Sequence, residues 1–527
     1  MVSPDTESEF AIDVRTLSGC PINDADAQAF LDKYPLHTIY EFVQADDRVI
    51  SDLTDVLNRV FNTTYGVSIL PAVVPLAIEA LKSPSPALRR LSVKQLGRAL
   101  QGSLSGQVRG NVQAQQVAGT LLSALKDQDT GVAAEASSTL TRTAAEPDGY
   151  QLLVGNGGRQ ELQQVLASPD PSIRMRGITL LASLASVAQD NVRALHDSGL
   201  LQPLQAELAN TGDVLTCSAA LALVGELSEA SSSASVALQA LLEQQLAALQ
   251  RDADPFLQAQ ALKVSATLLA SSAQQPAGAV ANGHAGSTGG LPPLLQTLSE
   301  TLDPDSLAEP STELIDAALD AVSRLGATPG GAELFFTDTH GIPSHVATLA
   351  LGRAGGTQVR AAALHALGIV AGAARAEHAM SAAAEDTFRQ VTFTAAAGPS
   401  GVHTPAEALL GYLRQPFNEL RTGAYRMLRA LAQRVWGAAD ICRNAPLLER
   451  LGDPRSETTI QEWRFAVVQA LAETVRTSAQ AEMAGGAAVQ RDALRAAAPE
   501  VDRALRQGLY GHGAAHQRPP DVALMTS

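Results

Sequence analysis

The sequence has few cysteines and few aromatics, and no excess of positive charge. Its 527 residues hold three cysteines, Cys20, Cys217 and Cys442, far apart in the chain. So sparse and odd a set excludes a disulfide-stapled scaffold and fits a reducing compartment. Aromatic residues make up 4% and strand-forming runs are scarce, which disfavours a β-sandwich or barrel. The formal net charge is −16 with no basic tail, so duplex nucleic acid is not an expected partner. No run of 18 apolar residues occurs, and the opening MVSPDTESEF is polar and acidic. Neither a membrane span nor a signal or transit peptide is expected from it.

What is present is repetition. LKSPSPALRRLSVKQLGRAL begins at Leu81, LKDQDTGVAAEASSTLTRTA at Leu125 and LASPDPSIRMRGITLLASLA at Leu166. LANTGDVLTCSAALALVGEL begins at Leu208 and LQRDADPFLQAQALKVSATLL at Leu249. The leucines are 44, 41, 42 and 41 residues apart. A period of about 40–47 residues belongs to armadillo and HEAT arrays. Looser copies start at Thr301, Gly356, Leu413 and Leu451. The expected fold is therefore an all-α, armadillo/HEAT-like, right-handed α-solenoid of nine to ten repeats. Its expected parts are a helical cap over 1–80, regular repeats over 81–272 and further repeats over 291–507. A disordered Gly/Ala/Ser-rich insertion is expected at 273–290, and a flexible tail at 508–527. The stretch 375–405, containing AAAGPSGVHTP, reads as an insertion that widens one repeat.

Within one unit, Pro169-Asp170-Pro171-Ser172 breaks the chain. Pro171 lacks an amide hydrogen and Ser172 suits an N-cap, so a helix is expected to start there. Ile173, Gly177, Ile178, Leu181 and Leu184 then recur at helical spacing. The preceding GGRQELQQVLAS is a second helix, with Leu162, Val165 and Leu166 on its apolar face. One such pair cannot bury its own apolar surface, so neighbours must stack.

The sequence offers little chemistry. GNGG at 155–158 lacks the strand and spacing of a phosphate loop and reads as an inter-helix turn. His340 with His345, and His512 with His516, lack companions at metal-ligand spacing. Cys217 lies in an apolar stripe and reads as a small buried residue. Asn62-Thr63-Thr64 is a chance sequon without a secretory leader. The carboxylates scattered over Glu457–Glu473 read as a solvated helix face. No nucleophile–base pair, cofactor cradle or metal set can be assembled, so no cofactor and no enzymatic activity are expected.

The long helix after each Pro/Asp break would line a groove. Opposite its buried stripe stand Lys94, Arg98, Thr179, Ser183, Lys263, His365 and Arg426, the candidate partner-binding residues. Several are basic in an acidic protein, a pattern suited to an acidic helical partner.

LRQPFNELRTGAYRMLRALAQRVWGAADICRNAPLLERLGD, Leu413–Asp453, resembles the family of 26S proteasome non-ATPase regulatory subunit 5. The matching positions are Gln415, Pro416, Phe417, Glu419 and Leu420, then Trp436, Asn444 and Pro446. LKSPSPALRRLSVKQLGRAL is similar to an early repeat of that family, through Gln95, Leu96, Gly97 and Arg98. The insertion at 273–290 and a shift toward Ala, Gly and Arg depart from it. The resemblance implies an assembly chaperone of the proteasome regulatory-particle base. Such a protein binds the C-terminal helical domain of an AAA ATPase subunit in its concave groove. It belongs to a base precursor module and is absent from the mature particle. The expected state is a monomer when free, in the cytoplasm and secondarily the nucleus, with no nucleic acid and no membrane as partner. The alternatives are a helical-repeat cargo or scaffold protein and a helical-repeat lyase or glycosylase. An importin-type groove would carry a Trp/Asn ladder where this chain has Lys94, Thr179, Lys263, His365 and Arg426. A glycosylase would need a strongly basic groove, and a lyase a cleft with acid/base groups.

Overall fold

The computed structural model describes residues 4–45, 50–104, 111–146, 148–155, 158–230, 232–252, 254–273, 291–305, 312–352, 354–375, 379–397, 403–457, 459–480 and 487–510. All regular structure among them is helical. Two compact units divide the chain, Met1–Ala237 and Leu238–Ser527. Residues 274–290 of the expected insertion and 511–527 of the expected tail lie outside the described residues.

The first unit opens with α1 (Pro4–Ser18), α2 (Asp24–Lys33), α3 (Leu36–Ala45), α4 (Ile50–Val60) and α5 (Thr64–Ala80). Thr63 of the sequon caps α5, its hydroxyl accepting the Gly66 amide at 3.0 Å. The repeats follow, each led by a long helix. α6 (Pro86–Leu104) precedes α7 (Asn111–Ala124), and α8 (Thr130–Ala144) precedes α9 (Gly149–Val154) and α10 (Gly158–Leu166). α11 (Pro171–Val187) precedes α12 (Gln189–Asp197) and α13 (Gln202–Ala209), and α14 (Val214–Ala230) precedes α15 (Ser232–Leu249). The division between the units falls inside α15. No single helix among the described residues is long and apolar enough to cross a membrane; α4 and α5 would qualify only as a pair bent by 118°.

The second unit continues with α16 (Pro255–Ala273) and α17 (Leu291–Leu302), then three triplets. These are α18 (Thr312–Gly326), α19 (Pro329–Thr337) and α20 (Ile342–Leu351); α21 (Thr357–Val370), α22 (Ala382–Ala396) and α23 (Pro405–Leu413); α24 (Asn418–Ala432), α25 (Val435–Arg443) and α26 (Ala445–Gly452). α27 (Gln461–Gln480) and α28 (Ala487–Gln507) close it. The segment 375–405 is thus no simple insertion. It holds α22, which stands where α19 and α25 stand in their triplets. Phe388 of α22 lies 5.1 Å from Phe336 of α19 and 5.5 Å from Trp436 of α25, ring centre to ring centre. Its low hydrophobicity (AAAEDTFRQVTFTAA) hides a helix anchored by one aromatic.

The repeat leucines have one job. Leu125, Leu166, Leu208 and Leu249 are buried at or beside the end of the helix that precedes a long helix. Leu302, Leu351, Leu413 and Leu451 do the same in the second unit. Long helices pack on the long helix of the next repeat: α6 on α8, α8 on α11 and α11 on α14 in the first unit. In the second, α16 packs on α18, α18 on α21, α21 on α24 and α24 on α27. Glycines permit the approach. A Cβ on Gly326 of α18 would come within 2.3 Å of Val370 Cγ2 on α21, and one on Gly97 of α6 within 2.6 Å of Thr139 Cγ2 on α8. Leu181 and Leu184 are buried in α11, as are Leu162, Val165 and Leu166 in α10. The cap of α11 is two residues earlier than the sequence suggests. Asp170, not Ser172, is the N-cap, its carboxylate accepting the Ser172 amide at 2.8 Å with Pro171 at N1. A carboxylate also complements the helix dipole, so it outcompetes the hydroxyl two residues on.

One arginine position ties repeats together. Arg89, Arg174 and Arg421 each stand eight residues after a repeat leucine. Arg89 Nη1 donates to the Ser83 and Pro84 carbonyls at 2.9 and 3.0 Å, while Nε and Nη2 grip Asp127 of the next repeat at 2.8 and 3.0 Å. Arg174 repeats the pattern: Nη1 donates to the Ser168 and Pro169 carbonyls, both at 3.0 Å, and Nε donates to Glu207. Arg421 Nη1 pairs with Glu457 at 3.0 Å. The planar fork lets one side chain serve the orphan carbonyls of its own turn and a neighbour's carboxylate together. A double-mutant cycle with Arg174→Ala and Glu207→Ala, read by urea unfolding, is expected to give a coupling of about 1–3 kcal/mol. Additive single losses would show that the two side chains merely coexist.

Candidate functional site

All seven residues expected on the groove lie on long helices, yet they differ in what they are free to do. In the first unit, Lys94 of α6 sits 3.9 Å from Glu135 of α8. Arg98, one turn on, is half-buried and donates to the Asn58 carbonyl in α4 at 2.7 Å. Burial, aided by Arg142, draws its pKa below the ordinary guanidinium value. Arg98 is therefore a helix-packing residue and not a solvated groove cation. Thr179 and Ser183 of α11 return their hydroxyls to their own helix, to the Met175 and Thr179 carbonyls at 2.9 and 3.1 Å. Neither hydroxyl is committed to a neighbouring helix in these bonds, and Thr179 is exposed.

The second unit assembles more. Lys263 of α16 is exposed, and Thr267 one turn later accepts Arg324 Nη1 of α18 at 3.0 Å. Arg324 Nε also donates to Asp320 at 3.0 Å. His365 of α21 and Arg426 of α24 touch, with Arg426 Nη1 lying against both ring nitrogens of His365. The other side of the same guanidinium lies 4.6 Å over the ring of Trp463 on α27. Gly368 makes room, since a Cβ there would come within 2.9 Å of Arg426 Cγ. Burial first, and then the Arg426 charge, pull the His365 pKa below its ordinary value, while Asp320 opposes them. The lowered pKa favours the neutral ring near pH 7. Sequence reasoning identified Lys263, His365 and Arg426 but missed Arg324 and Trp463. The spacing Asp320–Arg324 (i, i+4) was a usable signal; a lone Trp463 gave none.

The residues behind the family resemblance are mostly structural. Trp436 Nε1 donates to Glu385 at 2.6 Å, and Arg434 Nε donates to the same carboxylate at 3.1 Å. Asn444 caps α26 by accepting the Leu447 amide at 3.1 Å, with Pro446 in its first turn. Leu420 is buried in α24, whereas Phe417, at its N-cap, is 52% exposed. Glu457 overturns the reading of 457–473 as a solvated face. It is 1% exposed and takes Arg421 at 3.0 Å, Arg450 at 2.7 Å and the Tyr425 hydroxyl at 2.9 Å. It precedes α27, so helical periodicity does not govern its direction; Glu462 and Glu473, on the helix, are exposed as expected. Gly155 ends α9 and Gly158 begins α10, so GNGG joins two helices. Cys217 is fully buried, and burial pushes the Cys442 thiol up to about 12. His340 Nδ1 lies 2.6 Å from Asp338. Among the described residues no three His, Cys, Asp or Glu side chains gather as a metal site.

Glu457→Gln is expected to cost about 3–5 kcal/mol in urea unfolding, because two arginines lose their buried counter-charge. Glu473→Gln, on the exposed face, is expected to stay within about 0.5 kcal/mol of the parent. Equal effects would mean that the Glu457 carboxylate is not the hub of this network.

Among solved structures, the chain is similar to a mutant form of Kap121p, with a TM-score of 0.50 and 12% identity over 95% of this chain and 54% of that one. The chain thus spans about half the length of Kap121p, and the likeness concerns the fold alone. An engineered protein aligns over 81% of this chain and 98% of its own, at 18% identity and a TM-score of 0.44. No characterised protein matches by sequence. The family model described as "Proteasome non-ATPase 26S subunit" matches residues 15–487, most of the chain. An all-helical repeat array matched over that span belongs to the family of proteasome non-ATPase 26S subunits.

Proposed function

We propose that this protein is an assembly chaperone of the proteasome regulatory-particle base, of the regulatory subunit 5 type. It holds the C-terminal helical domain of an AAA ATPase subunit on the exposed face of its long helices. It acts as a monomer in the cytoplasm, and secondarily in the nucleus, and it catalyses no reaction. The action is steric: an occupied ATPase domain cannot dock prematurely, and later assembly contacts displace the chaperone. The observation that carries this reading is the family match over residues 15–487. It is supported by five long helices, α6, α11, α16, α21 and α24, that carry Lys94, Thr179, Lys263, His365 and Arg426 in that order, away from each helix's buried stripe. Such repeated surfaces suit an extended protein partner.

Exposed charges contribute about 0–1 kcal/mol each but steer encounter. Arg98 holds the Asn58 carbonyl, so its reversal would disturb packing. Lys94→Glu with Lys263→Glu is the cleaner test. In biosensor kinetics with isolated C-terminal domains of the base ATPases, the double variant is expected to associate about tenfold more slowly at low salt. Its salt dependence is expected to shrink while far-ultraviolet circular dichroism stays unchanged. Parent-like rates at both salts would place the interface elsewhere. Failure of every base ATPase domain to bind the parent protein would overturn the proposal.

A further inference from the structure

The second unit carries a pre-assembled cation–aromatic seat. Arg426 is held on three sides: by the His365 ring, by the gap that Gly368 leaves, and by the face of Trp463. Its guanidinium pairs with no carboxylate among the described residues, unlike Arg421, Arg434 and Arg450 on the same unit. The charged groups facing His365 are Asp320 on α18 and Arg426 on α24, with Arg429 near Arg426. Asp320 is engaged by Arg324. The strip therefore has Arg426 and Arg429 in excess, on a protein whose net charge is −16. An ordered cation beside an aromatic face and a neutral imidazole is built to receive a carboxylate. The net charge of −16 repels any polyanion, so the seat suits a segment that brings one carboxylate beside an apolar side chain over a phosphate polymer charged at every unit.

We infer that the His365–Arg426–Trp463 seat binds an acidic polypeptide segment, with one carboxylate laid against Arg426 and His365 and an apolar neighbour against Trp463. This deepens the chaperone reading by naming the chemistry of the partner's contact, and it rests on the long-helix face being the binding surface.

The experiment uses the full chain with Trp436→Phe, which leaves Trp463 the single tryptophan, since the sequence has two. A short peptide of repeated Glu-Glu-Leu is titrated while Trp463 emission is followed, alongside its Gln-Gln-Leu counterpart and a single-stranded DNA of equal length. The expected result is a change in emission with at least tenfold tighter binding of the Glu peptide. Arg426→Ala is expected to weaken it tenfold or more. Equal binding of the Gln peptide, tighter binding of DNA, or parent-like peptide binding by Arg426→Ala would overturn the inference. The same variants are then tried on the base ATPase domains. Parent-like ATPase binding by Arg426→Ala sinks this inference and leaves the chaperone reading standing. Binding of the acidic peptide without binding of any ATPase domain does the reverse.

Discussion

An arginine eight residues after the repeat leucine, in the three repeats that carry it, sets the geometry of joints in both units. Arg89 and Arg174 use one edge of the guanidinium on the carbonyls of their own turn and the other on a carboxylate one repeat further on. A helix end leaves four carbonyls without partners, and a repeat array multiplies such ends. Covering them with a fork that also reaches the neighbour turns a local liability into an inter-repeat bond. Lysine would offer one point charge and could not satisfy both sides at fixed angles. Arg421 extends the scheme: Glu457, its partner, also gathers Arg450 and Tyr425.

Apolar packing then needs only modest side chains. Because the turn and the neighbour are already fixed, long helices can approach at glycine and alanine positions such as Gly97 and Gly326. Close helices lose little to voids, since short side chains leave less irregular volume to fill. Larger groups appear where a gap must be bridged. Phe336, Phe388 and Trp436 link the middle helices of three successive triplets, with Glu385 holding the indole and Arg434.

Much of this was legible in the sequence because the repeat leucines recur every 41–44 residues in the N-terminal half. Period alone placed the long helices, and the Pro/Asp breaks placed most of their starts. Three features escaped for physical reasons. α22 is weakly hydrophobic, and its place depends on Phe388 meeting rings from distant repeats. Glu457 lies in a turn, where helical periodicity says nothing about burial. Arg98 stands on the polar side of α6 and looks solvated until the carbonyl of Asn58, forty residues earlier, is seen to lie beneath it. Each is a long-range partnership between residues that a local pattern treats singly. The seven candidate surface residues were found by the helical register, but the register could not separate structural cations from available ones.

That separation bears directly on recognition. Most arginines described on these helices are occupied by the fold, through carbonyls or carboxylates of adjoining repeats. An acidic protein that spends its cations internally has few left with which to attract a partner, so the remaining ones must be placed with care. Lys263 is solvated and mobile by nature, suited to steering an encounter at long range. Arg426 is the opposite case, immobilised between an imidazole and an indole. Its ordering cost is met during folding and is not charged again on binding. A surface that combines the two can capture loosely at one helix and fix register at another. A chaperone needs that combination, because its client must arrive quickly, be held in one orientation and still be surrendered to a competitor offering a larger interface.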